Sequence, residues 1–409
     1  MSLSTQIRRV AIKDYKSIAH CDVNLGPLTF LVGPNGSGKS NFLDALGFVA
    51  DAVRNTLDSA VRRRGGFREI VRRSFENPDR FAIRLDVDRQ PDNELKLEID
   101  LHFEYFLEVG LREHGGPIVL CEECKWWSKD SELETGHFRV QSGQVVDSSF
   151  PLPPQASSHQ IYLVTASGDP DLAILYRILS LIASYNLTPG SMREPQSEGD
   201  GEVLIGDGSN LVASWSKMLR FDPDRAQRVM EFFRLVVPAV ERIRPVSVGM
   251  KETLEFLERV HGGKETREFY ASSMSDGTLR ALAILVALLQ EGYDDRIRAL
   301  VAIEEPEIAL HPGAAEVLLD CLREASLTRQ VLVTTHSPDL LDRKDIPVES
   351  ILAVSADDGE THIAPVDNAS RQVMHERMWT AGELMRINQL DPDTTWNPAT
   401  SAPNMRLFS

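Results

Sequence analysis

Two segments far apart in the chain carry residue types and spacings suited to phosphate chemistry. Gly33, Pro34, Asn35, Gly36, Ser37, Gly38, Lys39 and Ser40 match the pattern G-x-x-x-x-G-K-S, with Asn41 directly after it. In such a loop backbone N–H groups converge on phosphate oxygens. Lys39 is placed to reach the β and γ oxygens, and the Ser40 hydroxyl to bind Mg²⁺. Residues 300–303 form an apolar run that ends in Glu304, Glu305 and Pro306. Carboxylates at the C-terminal end of a buried strand stand where an open α/β sheet places its ligand. Glu304 is therefore assigned to the metal, through water, and Glu305 to polarising an attacking water. Together the two segments make ATP with Mg²⁺ the expected ligand.

Two further segments suit the same chemistry less specifically. Ser275, Asp276 and Gly277 precede a long apolar run. Read locally they start a helix: Ser275 caps, Asp276 complements the positive helix end, and Gly277 allows close backbone approach. The same helix end can also receive an anion. His336 follows the apolar run 331–335 and precedes Ser337 and Pro338. A strand next in order after the Glu304 strand places His336 on the sheet edge that faces the γ-phosphate, so it is read as functional.

The elements that must position these residues follow from periodicity. Residues 7–24 read as two short strands, and 28–32 as a buried strand running into the glycine loop. Phe42, Leu46, Val49 and Val53 recur at helical spacing, so a helix starts at Lys39 with its N-terminus on the phosphates. Between about 80 and 165 β-rich runs at 81–87, 95–107 and 161–164 suggest an antiparallel meander. Helical spacing follows at 172–183, 211–219 and 224–236, with a polar loop at 195–208. Residues 275–290 are apolar nearly all round and predict a buried helix. Strands at 299–303 and 331–334 flank a helix at 313–325, which implies a parallel sheet covered on both faces. A hairpin at 351–354 and 361–364, a helix near 381–389 and a Pro/Thr/Asn-rich tail complete the chain.

Composition bounds the class. The chain has 409 residues, 42% hydrophobic and 26% charged, an ordinary composition that can bury a large core. No stretch approaches the roughly 18 uninterrupted apolar residues of a membrane span, and residues 1–9 lack an apolar signal segment. A cytoplasmic protein with no membrane partner is expected. Cys21, Cys121, Cys124 and Cys321 form no disulfide framework, in keeping with a reducing compartment. Cys121 and Cys124 have metal-ligand spacing but no second pair, and are read as structural. The net charge of −17 excludes a surface uniformly coated for DNA, so any such contact is a local patch. The one dense basic cluster comprises Arg62, Arg63, Arg64, Arg68, Arg72 and Arg73, and Arg62, Arg63 and Arg64 are the candidate DNA contacts. The competing reading of that cluster is a surface paired with carboxylates.

Taken together the segments resemble the ABC-type ATPase heads of the RecF/SMC/OLD-like branch. The resemblance is carried by 33–40 as Walker A, 274–278 as signature, 303–306 as Walker B, 307–311 as D-loop and His336 as switch histidine. Residues 12–18 look like the opening strand of SMC and RecF heads, and Glu304 to Glu307 with Leu310, His311 and Pro312 are similar to OLD-like ATPases. Residues 185–189, 193–195 and 207–211 look like the insertion of the stand-alone members. Asp276 and Thr278 stand where transporters carry Gly and Gln, and Glu304 replaces the usual Asp.

The resemblance implies an α/β P-loop NTPase of ABC/RecF type, with a mixed and parallel sheet core, an antiparallel β lobe and a helical insertion. One head over 1–409 would comprise an N-terminal lobe (1–170), a mainly helical insertion (171–265), a C-terminal lobe (266–370) and a C-terminal helix and tail (371–409). It further implies an ATP hydrolase that forms a head-to-tail homodimer on ATP. Ser275, Asp276 and Gly277 of one copy would meet the γ-phosphate held by the other, with Lys39, Glu305 and His336 catalytic. DNA repair or mobile-element defence with a partner effector is the leading expectation. The alternatives are a nucleotide-dependent scaffold for a nuclease or toxin and, behind it, a transporter motor. About 70 residues follow His336, too few for the nuclease domain of OLD enzymes, and Asp357 with Asp358 reads as a hairpin turn, so no nuclease activity is expected.

Overall fold

A computed structural model describes residues 3, 5–74, 78–91, 100–112, 115–128, 134–197, 199, 203–260, 265–290, 300–311 and 313–396. Parts of five sequence readings lie outside them: residues 95–99 of a strand, residues 198 and 200–202 of the polar loop, residue 299 of a strand, Pro312, and the tail beyond 396. The chain opens with the hairpin β1 (Thr5–Tyr15) and β2 (Ile18–Asn24). Next, β3 (Leu28–Val32) runs through the glycine loop into α1 (Lys39–Arg54), followed by α2 (Leu57–Arg63) and α3 (Phe67–Ile70). A meander comes next: β4 (Arg80–Arg89), β5 (Leu101–Leu111), β6 (Pro117–Ser128), β7 (Glu134–Gln141) and β8 (Gln144–Ser148). Helices α4 (Tyr162–Ala166) and α5 (Pro170–Ser180) lead to β9 (Ala183–Tyr185), α6 (Pro189–Arg193), β10 (Gln196–Ser197), α7 (Leu211–Phe221) and α8 (Pro223–Val236). Strands β11 (Val240–Val248), β12 (Lys251–Val260) and β13 (Glu265–Tyr270) precede α9 (Asp276–Leu289). The remainder is β14 (Val301–Glu304), α10 (Ala314–Ser326), β15 (Val331–Thr335), β16 (Ile351–Asp357), β17 (Glu360–Pro365), α11 (Asn368–His375) and α12 (Ala381–Arg386).

These strands build three sheets. The central one has the order β17-β16-β3-β15-β14-β9 and is parallel except for β17. Its short apolar strands carry side chains into two different cores, as a period of two requires. Leu31, Ala302, Leu332 and Leu352 point to the side of α1, α5 and the meander, whereas Phe30, Ile303, Val333 and Ala353 point to the side of α7, α8, α9 and α10. Lying against that second face, α9 is buried on every side from Thr278 to Leu289, which is why its sequence shows no polar stripe. A seven-stranded antiparallel sheet, β2-β1-β4-β5-β6-β7-β8, closes the first core, and β10 to β13 form a smaller antiparallel sheet beside α7 and α8.

Two sequence readings change. Residues 161–164, expected as a strand, begin α4 instead. That helix has no side-chain cap of its own at Ile161; the fully buried Glu122 carboxylate on β6 accepts the Tyr162 and Leu163 N–H groups at 2.5 and 2.9 Å. The stretch 171–265, expected as mainly helical, holds α5 to α8 but also β9, an edge strand of the central sheet, and the strands β10 to β12. The Asp358-Gly359 pair turns β16 into β17 with both residues at positive φ, as a tight hairpin turn needs.

Candidate functional site

The glycine loop owes its shape to strands that flank it in space. A Cβ on Gly33 would stand 2.0 Å from the Val354 carbonyl oxygen on β16, and one on Gly38, at φ 101°, would stand 2.0 Å from Thr361 Oγ1 on β17. Thr361 Oγ1 donates to the Ser37 carbonyl at 2.9 Å and lies 2.6 Å from Ser17 Oγ, which accepts from Asn41 Nδ2 at 2.6 Å. Thr361 and Ser17 are therefore supports of the loop that sequence reasoning missed, since no local pattern marks either. Pro34, Asn35 and Gly36 form the exposed rim. Ser37 Oγ is buried with no hydrogen-bond partner among the described residues.

Lys39 folds back over this loop, donating from Nζ to the Gly33 and Pro34 carbonyls at 2.7 and 2.9 Å. Burial pulls its pKa down, while the negative charges of Glu305, Glu307 and Glu304 pull it up. From the next position, Ser40 Oγ donates to Glu304 Oε2 at 2.7 Å, so the first residue after the lysine meets the end of β14. Burial pushes the Glu304 carboxyl above the ordinary carboxylate range; the Ser40 hydroxyl opposes this and neighbouring Glu305 adds to it. A hydroxyl and a carboxylate oxygen are hard donors that fit Mg²⁺, and a glycine loop with an exposed rim and a lysine folded over it fits a phosphate chain. Among the described residues no group of three or more His, Cys, Asp and Glu side chains is arranged to hold a metal unaided.

Glu305 leaves β14 at φ 43°, a left-handed conformation that non-glycine residues enter at a cost. The turn is held on both sides. Its N–H donates to the Thr334 carbonyl and hydroxyl at 3.0 and 3.2 Å, and its carbonyl accepts from Arg280 Nη2 at 3.1 Å. Arg280, buried on α9, donates also to the Leu187 carbonyl at 2.7 Å. The result aims the Glu305 side chain at His336, whose Nδ1 lies 3.2 Å from Glu305 Oε1.

Ser275 caps α9, its Oγ accepting the Thr278 N–H at 3.2 Å. Arg193 holds the same segment by bonding the Met274 carbonyl at 2.9 Å and the Asp276 carboxylate. Gly277 packs so closely on the turn after β14 that a Cβ would be 2.1 Å from the Ala309 carbonyl oxygen, and Ala309 itself sits at φ 64°. Ser275 and Asp276 are exposed, and no hydrogen bond joins Ser275, Asp276 or Gly277 to residues 33–41 among the described residues. The structure thus brings Lys39, Ser40, Glu304, Glu305 and His336 into one site and leaves the Ser275 segment facing outward.

The remaining candidates fall into place by packing. Arg64, a candidate DNA contact, is a correction: it is one-tenth exposed, bridges Asp44 and Asp51 at 2.8 and 2.9 Å and lies over the Phe48 ring, so it braces α1. Arg62 and Arg63 are largely exposed and paired with Asp58 and Asp51 at 2.8 and 3.2 Å, ion pairs weak enough at a surface to exchange for other anions. Cys121 and Cys124 are buried free thiols on β6, and Cys124 alone joins the core on the α1 side. No helix among the described residues is long and apolar enough to cross a membrane.

Comparison with known proteins bears on the family and the fold. The chain is similar to the DNA replication and repair protein RecF of Aliivibrio fischeri (strain MJ11), 27% identical over 96 residues that cover 23% of this chain and 27% of that one. It is similar also to RecF of Frankia alni, 34% identical over 80 residues, 19% of this chain and 21% of that one. The chain thus spans about a quarter of the length of these curated relatives. Among solved structures, an SMC head bound to the C-winged helix domain of ScpA matches with TM-score 0.51 and 15% identity over 88% of this chain and 96% of that one. A Pyrococcus furiosus SMC head with an extended coiled coil, bound to the C-terminal domain of ScpA, matches with TM-score 0.51 and 13% identity over 91% and 99%. The family described as "AAA domain, putative AbiEii toxin, Type IV TA system" matches residues 28–160 and 192–342, more than half of the chain, so the chain belongs to that family and has the fold of an ABC/RecF/SMC-type ATPase head.

Proposed function

We propose that the protein binds MgATP in the loop 33–41 and hydrolyses it, as an ATPase that pairs head to tail with a second copy of itself. One observation carries this reading: the Ser40 hydroxyl meets Glu304 at 2.7 Å at the edge where Glu305 and His336 also converge. On nucleotide binding Lys39 would exchange the Gly33 and Pro34 carbonyls for phosphate oxygens, and the loop N–H groups would hold the rest of the chain. Ser40 and Glu304 would hold Mg²⁺, which when bound neutralises phosphate charge. Glu305 accepts a proton from the attacking water, and His336, beside it, reads the γ-phosphate. The outward Ser275, Asp276 and Gly277 would complete the site of the second copy.

The RecF relatives support a role connected with DNA, with Arg62 and Arg63 as the exposed cations that could carry it. Repair or mobile-element defence is the class of process that suits such a switch. A second reading, a nucleotide-dependent scaffold for a partner effector, draws on the two SMC heads, each of which was solved with a domain of ScpA. Steady-state turnover with and without DNA separates the two, since DNA stimulation is expected only of the first. Glu305→Gln is expected to trap a MgATP-bound dimer in size exclusion with light scattering, and Lys39→Ala to remain monomeric. A Glu305→Gln protein that stays monomeric at saturating MgATP would sink the head-to-tail arrangement.

A further inference from the structure

One carboxylate at the site has no part in the chemistry so far. Glu307 lies two residues past Glu305, on the turn after β14, and its side chain reaches the end of β15. Its Oε1 accepts the Thr335 hydroxyl at 2.5 Å and faces the His336 backbone N–H at 3.4 Å. Thr335 Oγ1 in turn accepts the Ser337 N–H at 3.0 Å. One carboxylate oxygen thus holds Thr335 and His336, and Thr335 in turn holds Ser337, where β15 ends and the chain turns.

Among the described residues the His336 ring makes no hydrogen bond, and Glu305 is its one ion-pair partner. Its Nδ1 is buried without a hydrogen bond, at 3.2 Å from Glu305 Oε1, so the ring's place is set by the backbone that bears it. That backbone is the part held by Glu307. The arrangement has a cost, because Glu307 Oε2 is buried with no hydrogen-bond partner among the described residues, and what it secures is the acceptor oxygens for the His336 and Ser337 N–H groups. Burial accordingly pushes the Glu307 carboxyl above the ordinary carboxylate range, with the Thr335 hydroxyl opposing.

We infer that Glu307 is a positioning residue of the hydrolytic site: it fixes the end of β15 so that the His336 imidazole is presented to Glu305. The inference rests on the proposed roles of Glu305 and His336, and its test has one arm that does not. In the kinetic arm, Glu307→Ala lowers kcat at saturating MgATP at least about tenfold while KM stays within about twofold. Glu307→Gln keeps an acceptor oxygen for Thr335 and restores kcat to within about threefold of the parent. Combining Glu307→Ala with His336→Ala gives a protein within about twofold of His336→Ala alone, because a residue that acts through His336 has nothing left to position.

Equal losses in the Ala and Gln variants, or a further tenfold loss on top of His336→Ala, overturn the inference. Should Glu307→Ala not fold, Thr335→Val cuts the same link from the strand side and is expected to reproduce the kinetic loss. The independent arm is amide hydrogen exchange at 331–337, where His336 exchanges at least about tenfold faster in the Ala variant, or in Thr335→Val, than in the Gln variant. Unchanged exchange overturns the contact itself. A parent protein without ATPase activity removes the hydrolytic reading and leaves the exchange comparison to decide whether Glu307 holds His336.

Discussion

Glycine at 277 is required by a neighbour from another segment, the Ala309 carbonyl that a Cβ would meet at 2.1 Å. Alanine would be the better helix former by about 1 kcal/mol, so propensity and packing compete at this position. Packing wins, because the obstacle is backbone and the Ala309 turn is already at φ 64°. Gly277→Ala is therefore expected to lower the free energy of unfolding by about 1–3 kcal/mol, read from denaturant midpoints. A midpoint equal to the parent's would show that the Ala309 turn yields freely. At this scale the residues that the structure brings into one site were legible in the sequence, since Lys39, Ser40, Glu304, Glu305 and His336 stand in short patterns of recognisable spacing. Thr361, Ser17, Arg280 and Glu122 were not, because each acts on a partner distant in sequence and has no local signature.

Short elements show where pattern reading fails. Strands β3, β14 and β15 and helices α1 and α9 were recognisable because burial on both faces, or on one stripe, leaves a period in the sequence. Helix α4 has too few residues for a period, and its cap comes from β6. Glu122 carries that helix end at a cost. Burial raises its carboxyl to about 7 although the Leu163 and Tyr162 N–H groups and the Tyr105 hydroxyl all favour the ionised form. The folded chain then holds this proton more tightly than the unfolded chain, whose glutamate titrates near 4.5. The contribution is fully present below about pH 4.5 and is lost as pH rises through about 7, up to about 3 kcal/mol in all. Glu122→Gln cannot titrate, so the parent's stability should fall relative to that variant across this window. Parallel stability curves for the two proteins would exclude Glu122 as the source.

On the scale of the whole molecule, an acidic chain can meet DNA only through a local patch, and packing decides which arginines remain for it. Arg64 braces α1 against Asp44 and Asp51, which leaves Arg62 and Arg63. If these touch phosphates, Arg62→Glu with Arg63→Glu should lower the salt slope of duplex binding by about 2, measured by anisotropy over a salt series. An unchanged slope would take the patch out of consideration. The sequence by itself determined the nucleotide loop, the acids at the end of β14 and the sheet-and-helix alternation around them. These depend on residue type at short spacing and on burial patterns that recur every two or about four residues. Only the tertiary structure decided what joins the segments: the packing of Gly33 and Gly38 on β16 and β17, the clamp on the Glu305 turn, the anchoring of His336, and the release of Ser275 to the surface. Contacts between segments far apart in the chain are set by how the two cores close on the central sheet, and no local spacing records that closure.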